Sequence, residues 1–267
     1  MRKIRSSSLS MAFPFCLALA AFLLLVGPAL RKPVFSTCFF VLAAALFMPT
    51  KLLAAGHGHN PNTIESALAA LKAGNGRFAA GSPAHPHQDK ALLDRLAKEG
   101  QTPLAAVLAC SDSRAAVEEL FDMGFGDLFV VRAAGAVPGV DQVGSLEYAV
   151  AHLGVPVILV LGHTNCGAVS AAVAEAKEPG ALGELLAKLS PVAAAVKDLP
   201  DSKRLKTAIE LSAIVFREQL PLASPVLAEA VKEGRLAIVS GIYDIATGQV
   251  AIDEGRRAGA SGSAGGE

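Results

Sequence analysis

Four short apolar runs set the frame for this chain: Leu104–Ala109 (LAAVLA), Leu128–Arg132 (LFVVR), Val155–Leu161 (VPVILVL) and Leu236–Ser240 (LAIVS). Each has the length of a strand, and none alternates with polar residues. Continuous apolarity of this kind marks strands covered on both faces, as in a parallel sheet between helices. Stretches of helical spacing separate them: Ala115–Phe121, Val143–Leu153, Ala168–Lys177, Leu182–Lys197, Lys203–Gln219 and Pro225–Glu233. Two more precede the first strand. One is Asn62–Phe78, whose Ile64, Leu68, Leu71 and Phe78 share a face; the other is Asp89–Lys98. The alternation predicts an α/β fold, a mostly parallel β-sheet flanked by helices. A last strand, Gln249–Asp253, is expected after the turn at Thr247-Gly248. No GxGxxG or phosphate-loop pattern follows any strand, so nucleotide chemistry has no support.

The two ends read differently. Residues 1–55 carry six bases, no acid and two apolar runs, Ala12–Leu30 and Val34–Met48. The second run follows Arg31-Lys32 and precedes the small residues Ala54-Ala55-Gly56, the layout of a secretory signal. The first is long enough to span a bilayer. The expectation is a signal peptide or membrane anchor over 1–55, and a periplasmic or otherwise exported protein. The alternatives are a protein anchored in the membrane through 12–48, or a start site set too early, with translation beginning near Leu30. One domain is expected over 56–255 and a disordered tail over 256–267. Without its first 55 residues the chain has eighteen bases against 24 acids. That balance argues against a nucleic-acid partner, as does the absence of Trp. A hydrophobic content of 52% with 18% charge excludes disorder for most of the chain.

Ligands of open α/β sheets gather at the carboxyl ends of strands. Here LAAVLA runs into Cys110-Ser111-Asp112-Ser113-Arg114, and VPVILVLG runs into His163-Thr164-Asn165-Cys166-Gly167. Two thiolates and one imidazole suit zinc, and three protein ligands leave a fourth position open for chemistry. The residues alone leave two other readings open. The cysteines could be small buried hydrophobes, or an exported protein could join Cys110 to Cys166 in a disulfide. Asp112, Arg114 and His163 beside them weigh toward a metal.

The motifs CSDSR (Cys110–Arg114) and HTNCG (His163–Gly167) resemble those of the β-class carbonic anhydrases. The resemblance extends over about Leu71 to Asp253. It takes in GNGRF (Gly74–Phe78) with His85-Pro86, FVVRAAG (Phe129–Gly135), GSLEYAV (Gly144–Val150) and SGIYDIATGQV (Ser240–Val250). Ala133 and Ala136 stand where that family usually has Asn, and Ser240 where Gly is common.

The resemblance implies the β-carbonic anhydrase fold and one Zn2+ per chain, held by Cys110, His163 and Cys166. It implies a catalytic pair of Asp112 and Arg114, with Asp112 on the metal only in a closed state. The implied reaction is reversible hydration of CO2 to bicarbonate and a proton through a zinc-bound hydroxide. Gln101, Phe129, Gly135, Tyr148 and Gly167 are the implied substrate-binding residues. Some of them would come from a second subunit, in a homodimer or higher homo-oligomer with its pocket at the subunit interface. Val107 replaces the Trp of family members with an inhibitory bicarbonate pocket, so an open-type enzyme is expected. Two thiolates neutralise the dication, so activity is expected to rise toward alkaline pH. The alternatives are a carbonyl sulfide or carbon disulfide hydrolase on the same fold and metal, or a non-catalytic zinc-stabilised protein.

Overall fold

The computed structural model describes residues 60–255; both apolar runs of residues 1–55 and the tail 256–267 lie outside them. Five strands form one sheet in the order β2-β1-β3-β4-β5: β1 Ala105–Ala109, β2 Leu128–Arg132, β3 Val157–His163, β4 Ala237–Tyr243 and β5 Val250–Asp253. The first four are parallel, and β5 runs antiparallel to β4. The helices in chain order are α1 Ile64–Ala79, α2 Lys90–Glu99, α3 Val117–Leu120, α4 Val140–Leu153, α5 Gly167–Val173, α6 Gly180–Ala187, α7 Ser190–Val196, α8 Asp201–Ala223 and α9 Pro225–Lys232. Among the described residues no helix is long and apolar enough to cross a membrane.

Why the strands read as unbroken apolar runs is now plain. Both faces of β1 and β3 are covered. Ala106, Leu108, Ile158 and Val160 enter a core shared with residues of α4 to α9. Ala105, Val107, Ala109, Val157, Leu159 and Leu161 enter a second core with Ala67, Leu68 and Leu71 of α1 and with Phe121. Side chains alternate across a strand with a period of two, so each run feeds both cores in turn. Cys110, continuing β1, falls in the α4–α9 core.

Local chemistry sets the boundaries. Thr63 and Ser66 form a reciprocal cap at the start of α1, and Asp89 caps α2 through Leu92 N–H. Gly154, in the left-handed region at φ 65°, ends α4. The expected single helix over Leu182–Lys197 is instead two, broken at Lys188-Leu189 with Pro191 in the first turn of α7. Proline has no N–H to continue the earlier ladder, and the first turn of a helix tolerates it. The last two parallel strands run further than their apolar runs. β3 reaches His163 and β4 reaches Tyr243, paired with each other.

The helix α1 sits unusually close to its neighbour. A Cβ on Gly74 would lie 1.8 Å from the Phe121 carbonyl oxygen, so only glycine fits there. Asn75 donates to Leu120 O and Gly248 O and accepts from Val250 N–H. Arg77 Nε donates to the buried Asp122 carboxylate, which also accepts from the N–H groups of Ala84 and His85. Burial works against the Asp122 charge, but these donors outweigh it and hold its pKa below the usual carboxylate range.

Candidate metal centre

The register Ala109↔Leu161 sets β1 and β3 side by side, so Cys110 and His163 emerge together at their carboxyl ends. Three residues after His163, Cys166 is the N-cap of α5. The sulphurs of Cys110 and Cys166 and a ring nitrogen of His163 all lie within 4.8 Å of one another, and all three residues are buried. Among the described residues these three form the group able to hold a metal ion. The two sulphurs are not bonded to each other.

Three features of the site favour a soft cation. His163 Nδ1–H donates to Thr164 O at 3.0 Å, which leaves Nε2 as a lone-pair donor. That Nε2 is buried and has no hydrogen-bond partner. A buried polar atom without a partner is costly, and a metal ion would satisfy it. Gly135 N–H donates to Cys110 Sγ at 3.2 Å, a contact that stabilises a thiolate. The cysteine pair also shares its protons unequally. The Cys166 thiol, hydrogen-bonded to Cys110, holds the Cys110 pKa down to about 4 against the effect of burial, with His163 helping. Cys166 is pushed up by the same sharing and by burial, opposed by the N–H groups of Val169 and Ala168. Burial opposes a charge on His163, but the adjacent Cys110, the Thr164 carbonyl and Asp112 raise its pKa.

Asp112 stands beside this cluster with Oδ2 3.9 Å from His163 Nε2. It is held by Arg114 through three bonds: Arg114 N–H and Nε to Oδ1, both at 2.9 Å, and Nη2 to Oδ2 at 2.7 Å. These contacts, the Arg114 side chain first, keep Asp112 far below the ordinary carboxylate range. Arg114 Nη2 also reaches Asn165 O at 3.4 Å, so one guanidinium ties the two motif loops together.

Arg132, which the sequence motifs do not single out as a site residue, also belongs to this site. It closes β2, donating from Nε to Cys110 O at 3.0 Å and from Nη2 to Asp112 O at 2.6 Å. An arginine directly after the apolar run LFVV was the available signal. Thr164 was also missed as a contributor in its own right.

The implied pocket residues divide. Gly135, at φ 67°, and Gly167, the first residue of α5, lie at the cluster. The others do not reach it within one chain. Gln101 is exposed and precedes β1, at the opposite end of that strand from Cys110. Phe129 pairs with Ala106, about 13 Å back along β1 from the ligand end. Its ring lies 6.3 Å from that of Tyr148, which is 49% exposed on α4 and stacks on His152 at 5.1 Å. Phe129 and Tyr148 therefore meet each other, not the metal ligands.

Comparison with known proteins gives a consistent result. A family model described as carbonic anhydrase matches residues 105–250. The chain is 41% identical over 202 residues to a carbonic anhydrase of Mycolicibacterium smegmatis, spanning 72% of this chain and 94% of that one. It is 54% identical over 115 residues to carbonic anhydrase 2 of Mycobacterium tuberculosis, spanning 43% and 55% of the two chains. Among solved structures it resembles one of two tetrameric β-carbonic anhydrases of Sordaria macrospora, with a TM-score of 0.56 at 26% identity over 70% of this chain and 95% of that one.

Proposed function

The chain belongs to the β-class carbonic anhydrases, and from that premise we propose that it catalyses the zinc-dependent, reversible hydration of CO2 to bicarbonate and a proton. The observation that carries this reading is the trio Cys110, His163 and Cys166, with an unpartnered buried Nε2, beside a carboxylate held off by an arginine. Cys110, His163 and Cys166 would hold the zinc. Bound zinc supplies a Lewis acid that makes water a nucleophile near neutral pH.

The remaining work falls to the protein. Asp112 stays ionised and so only accepts hydrogen bonds. Its Oδ2 faces the cluster, where it accepts a proton-bearing O–H of the reacting water and turns the water's lone pair toward CO2. Arg114 holds both oxygens of Asp112 and would keep it from becoming a fourth ligand. Arg132 fixes the backbone on which Cys110 and Asp112 are carried. Gln101, Phe129 and Tyr148 complete the pocket of a second subunit in a homo-oligomer. That assignment is supported by their distance from their own chain's ligands, by the exposure of Tyr148, and by the tetrameric Sordaria relative. Residues 1–55 direct the enzyme out of the cytoplasm, a reading supported by their basic, apolar and small-residue order.

Stopped-flow CO2 hydration from pH 6.5 to 9, with metal quantified on the same sample, tests this. About one zinc per chain and a rate rising with pH are expected. Asp112→Ala should keep its zinc and lose roughly 100-fold in rate. Zinc without hydration at any pH would overturn the reading in favour of another small linear substrate or a structural metal.

A further inference from the structure

Three motifs outside the ligand set, GNGRF on α1, the YDIATG hairpin and the Thr of HTNC, form one connected brace. It begins at Asn75, which donates to Leu120 O at 3.0 Å and to Gly248 O at 2.9 Å, and accepts from Val250 N–H at 2.8 Å. The hairpin so gripped is closed within itself. Gly248 N–H donates to Asp244 O, and Asp244 N–H to Gln249 O. From the hairpin, Ile245 N–H donates to Thr164 Oγ1 at 3.1 Å. Thr164 N–H in turn donates to Tyr243 O at 2.9 Å. The third polar group of Thr164, its carbonyl, accepts from His163 Nδ1 at 3.0 Å. The N–H and hydroxyl oxygen of this residue are therefore committed to the hairpin and its carbonyl to the imidazole.

The physical consequence falls on His163. Because a carbonyl can only accept, the proton must sit on Nδ1, and Nε2 is left as the ligating atom. The direction of Nε2 depends on where that carbonyl stands, and the hairpin sets its place from both sides of the residue. We infer that Thr164 is a positioning residue for the metal, and that the hairpin held by Asn75 is the frame it transmits. This rests on the reading of Cys110, His163 and Cys166 as a zinc site. Partners of this kind typically shift metal affinity by about 10- to 100-fold.

The test compares zinc affinity, by chelator competition on the full chain, for wild type, Thr164→Val and Thr164→Ser. Valine keeps the shape and removes the acceptor; serine restores it. The melting temperature of each metal-free protein and the absorption spectrum of each cobalt-loaded protein are read alongside. Zinc affinity should fall about tenfold in Thr164→Val and return to within about twofold in Thr164→Ser. The cobalt ligand-field bands should shift only in the valine variant. If Thr164→Val does not fold, Thr164→Ala is judged by the same criteria. A wild type that takes no zinc overturns the metal reading and this one with it. A wild type that binds zinc, with Thr164→Val binding equally well, overturns this inference alone. A lower metal-free melting temperature at unchanged zinc affinity does the same, since it marks a purely structural role.

Discussion

Replacing Gly74 by alanine sets two principles against each other, and their signs differ. In the interior of a helix, Gly→Ala ordinarily stabilises by about 1 kcal/mol, because glycine loses more backbone freedom on folding. At Gly74 the added Cβ would lie 1.8 Å from the Phe121 carbonyl oxygen. To restore an ordinary contact, α1 would have to retreat by roughly 1.6 Å. Asn75, the next residue, makes three hydrogen bonds of 2.8 to 3.0 Å that such a retreat would break. Loss of two or three bonds costs about 1 kcal/mol each, and the polar groups left buried add more. Displaced packing of Leu68 and Leu71 adds about 1–3 kcal/mol. Against the propensity gain, a net loss of about 3 kcal/mol is expected. For a domain of this size that lowers the melting temperature by roughly 6–12 °C. Thermal and urea unfolding of the metal-free protein measure it. A variant as stable as wild type, or more so, would refute the close approach of α1 to Phe121.

Cys166→Ser should lose bound zinc and CO2 hydration together, since it removes one of three ligands; metal analysis beside the rate assay decides, and full zinc occupancy would count against this residue as a ligand. Asp122 has a pKa lowered by folding, so its stabilisation is complete above the unfolded value of about 3.9 and is lost as pH falls through the lower folded value. Asp122→Asn should therefore cost about 2 kcal/mol at pH 7, and less on acidification below about pH 4; urea midpoints at the two pH values check the sign, and a gap that widens in acid reverses it. Ala136 is buried at φ 55°, a left-handed conformation. Ala136→Val should cost about 2 kcal/mol or more through crowding at a β-branched centre, while Ala136→Gly should stay within about 1 kcal/mol, strain relief being offset by chain entropy and a lost methyl. Melting temperatures of the pair separate backbone strain from packing.

The fold was legible where one physical cause dominates. β1 lies within the run LAAVLA, because burial on both faces leaves an uninterrupted apolar record, and LFVVR matches β2 residue for residue although that edge strand is only partly buried. The ends of β3 and β4 were not legible: Gly162-His163 and Gly241-Ile242-Tyr243 extend the strands through pairing with each other, and pairing leaves no mark in either segment alone. The break between α6 and α7 was signalled by Pro191 but masked by helical spacing on both sides.

At the site, the residue types of CSDSR and HTNCG sufficed to name a metal-binding trio and an Asp–Arg pair, because ligand chemistry is a property of side chains and their strand-end position follows from the pattern. What the tertiary structure alone decided is direction. Which nitrogen of His163 is free depends on the Thr164 carbonyl, and that depends on a hairpin some eighty residues later. The Asp112–Arg114 pair is local, two residues apart, but that Arg132 steadies the backbone of Cys110 and Asp112 depends on the parallel register of β1 with β2. Gln101, which the family resemblance implies as a substrate-binding residue with part of the pocket supplied by a second subunit, lies at the other end of its own strand from Cys110, a placement that only the tertiary structure gives. Chemistry is encoded residue by residue. Part of the geometry comes from hydrogen bonds between distant segments, such as Arg132 to Cys110 O and Ile245 N–H to Thr164 Oγ1, which exist only once the sheet has formed.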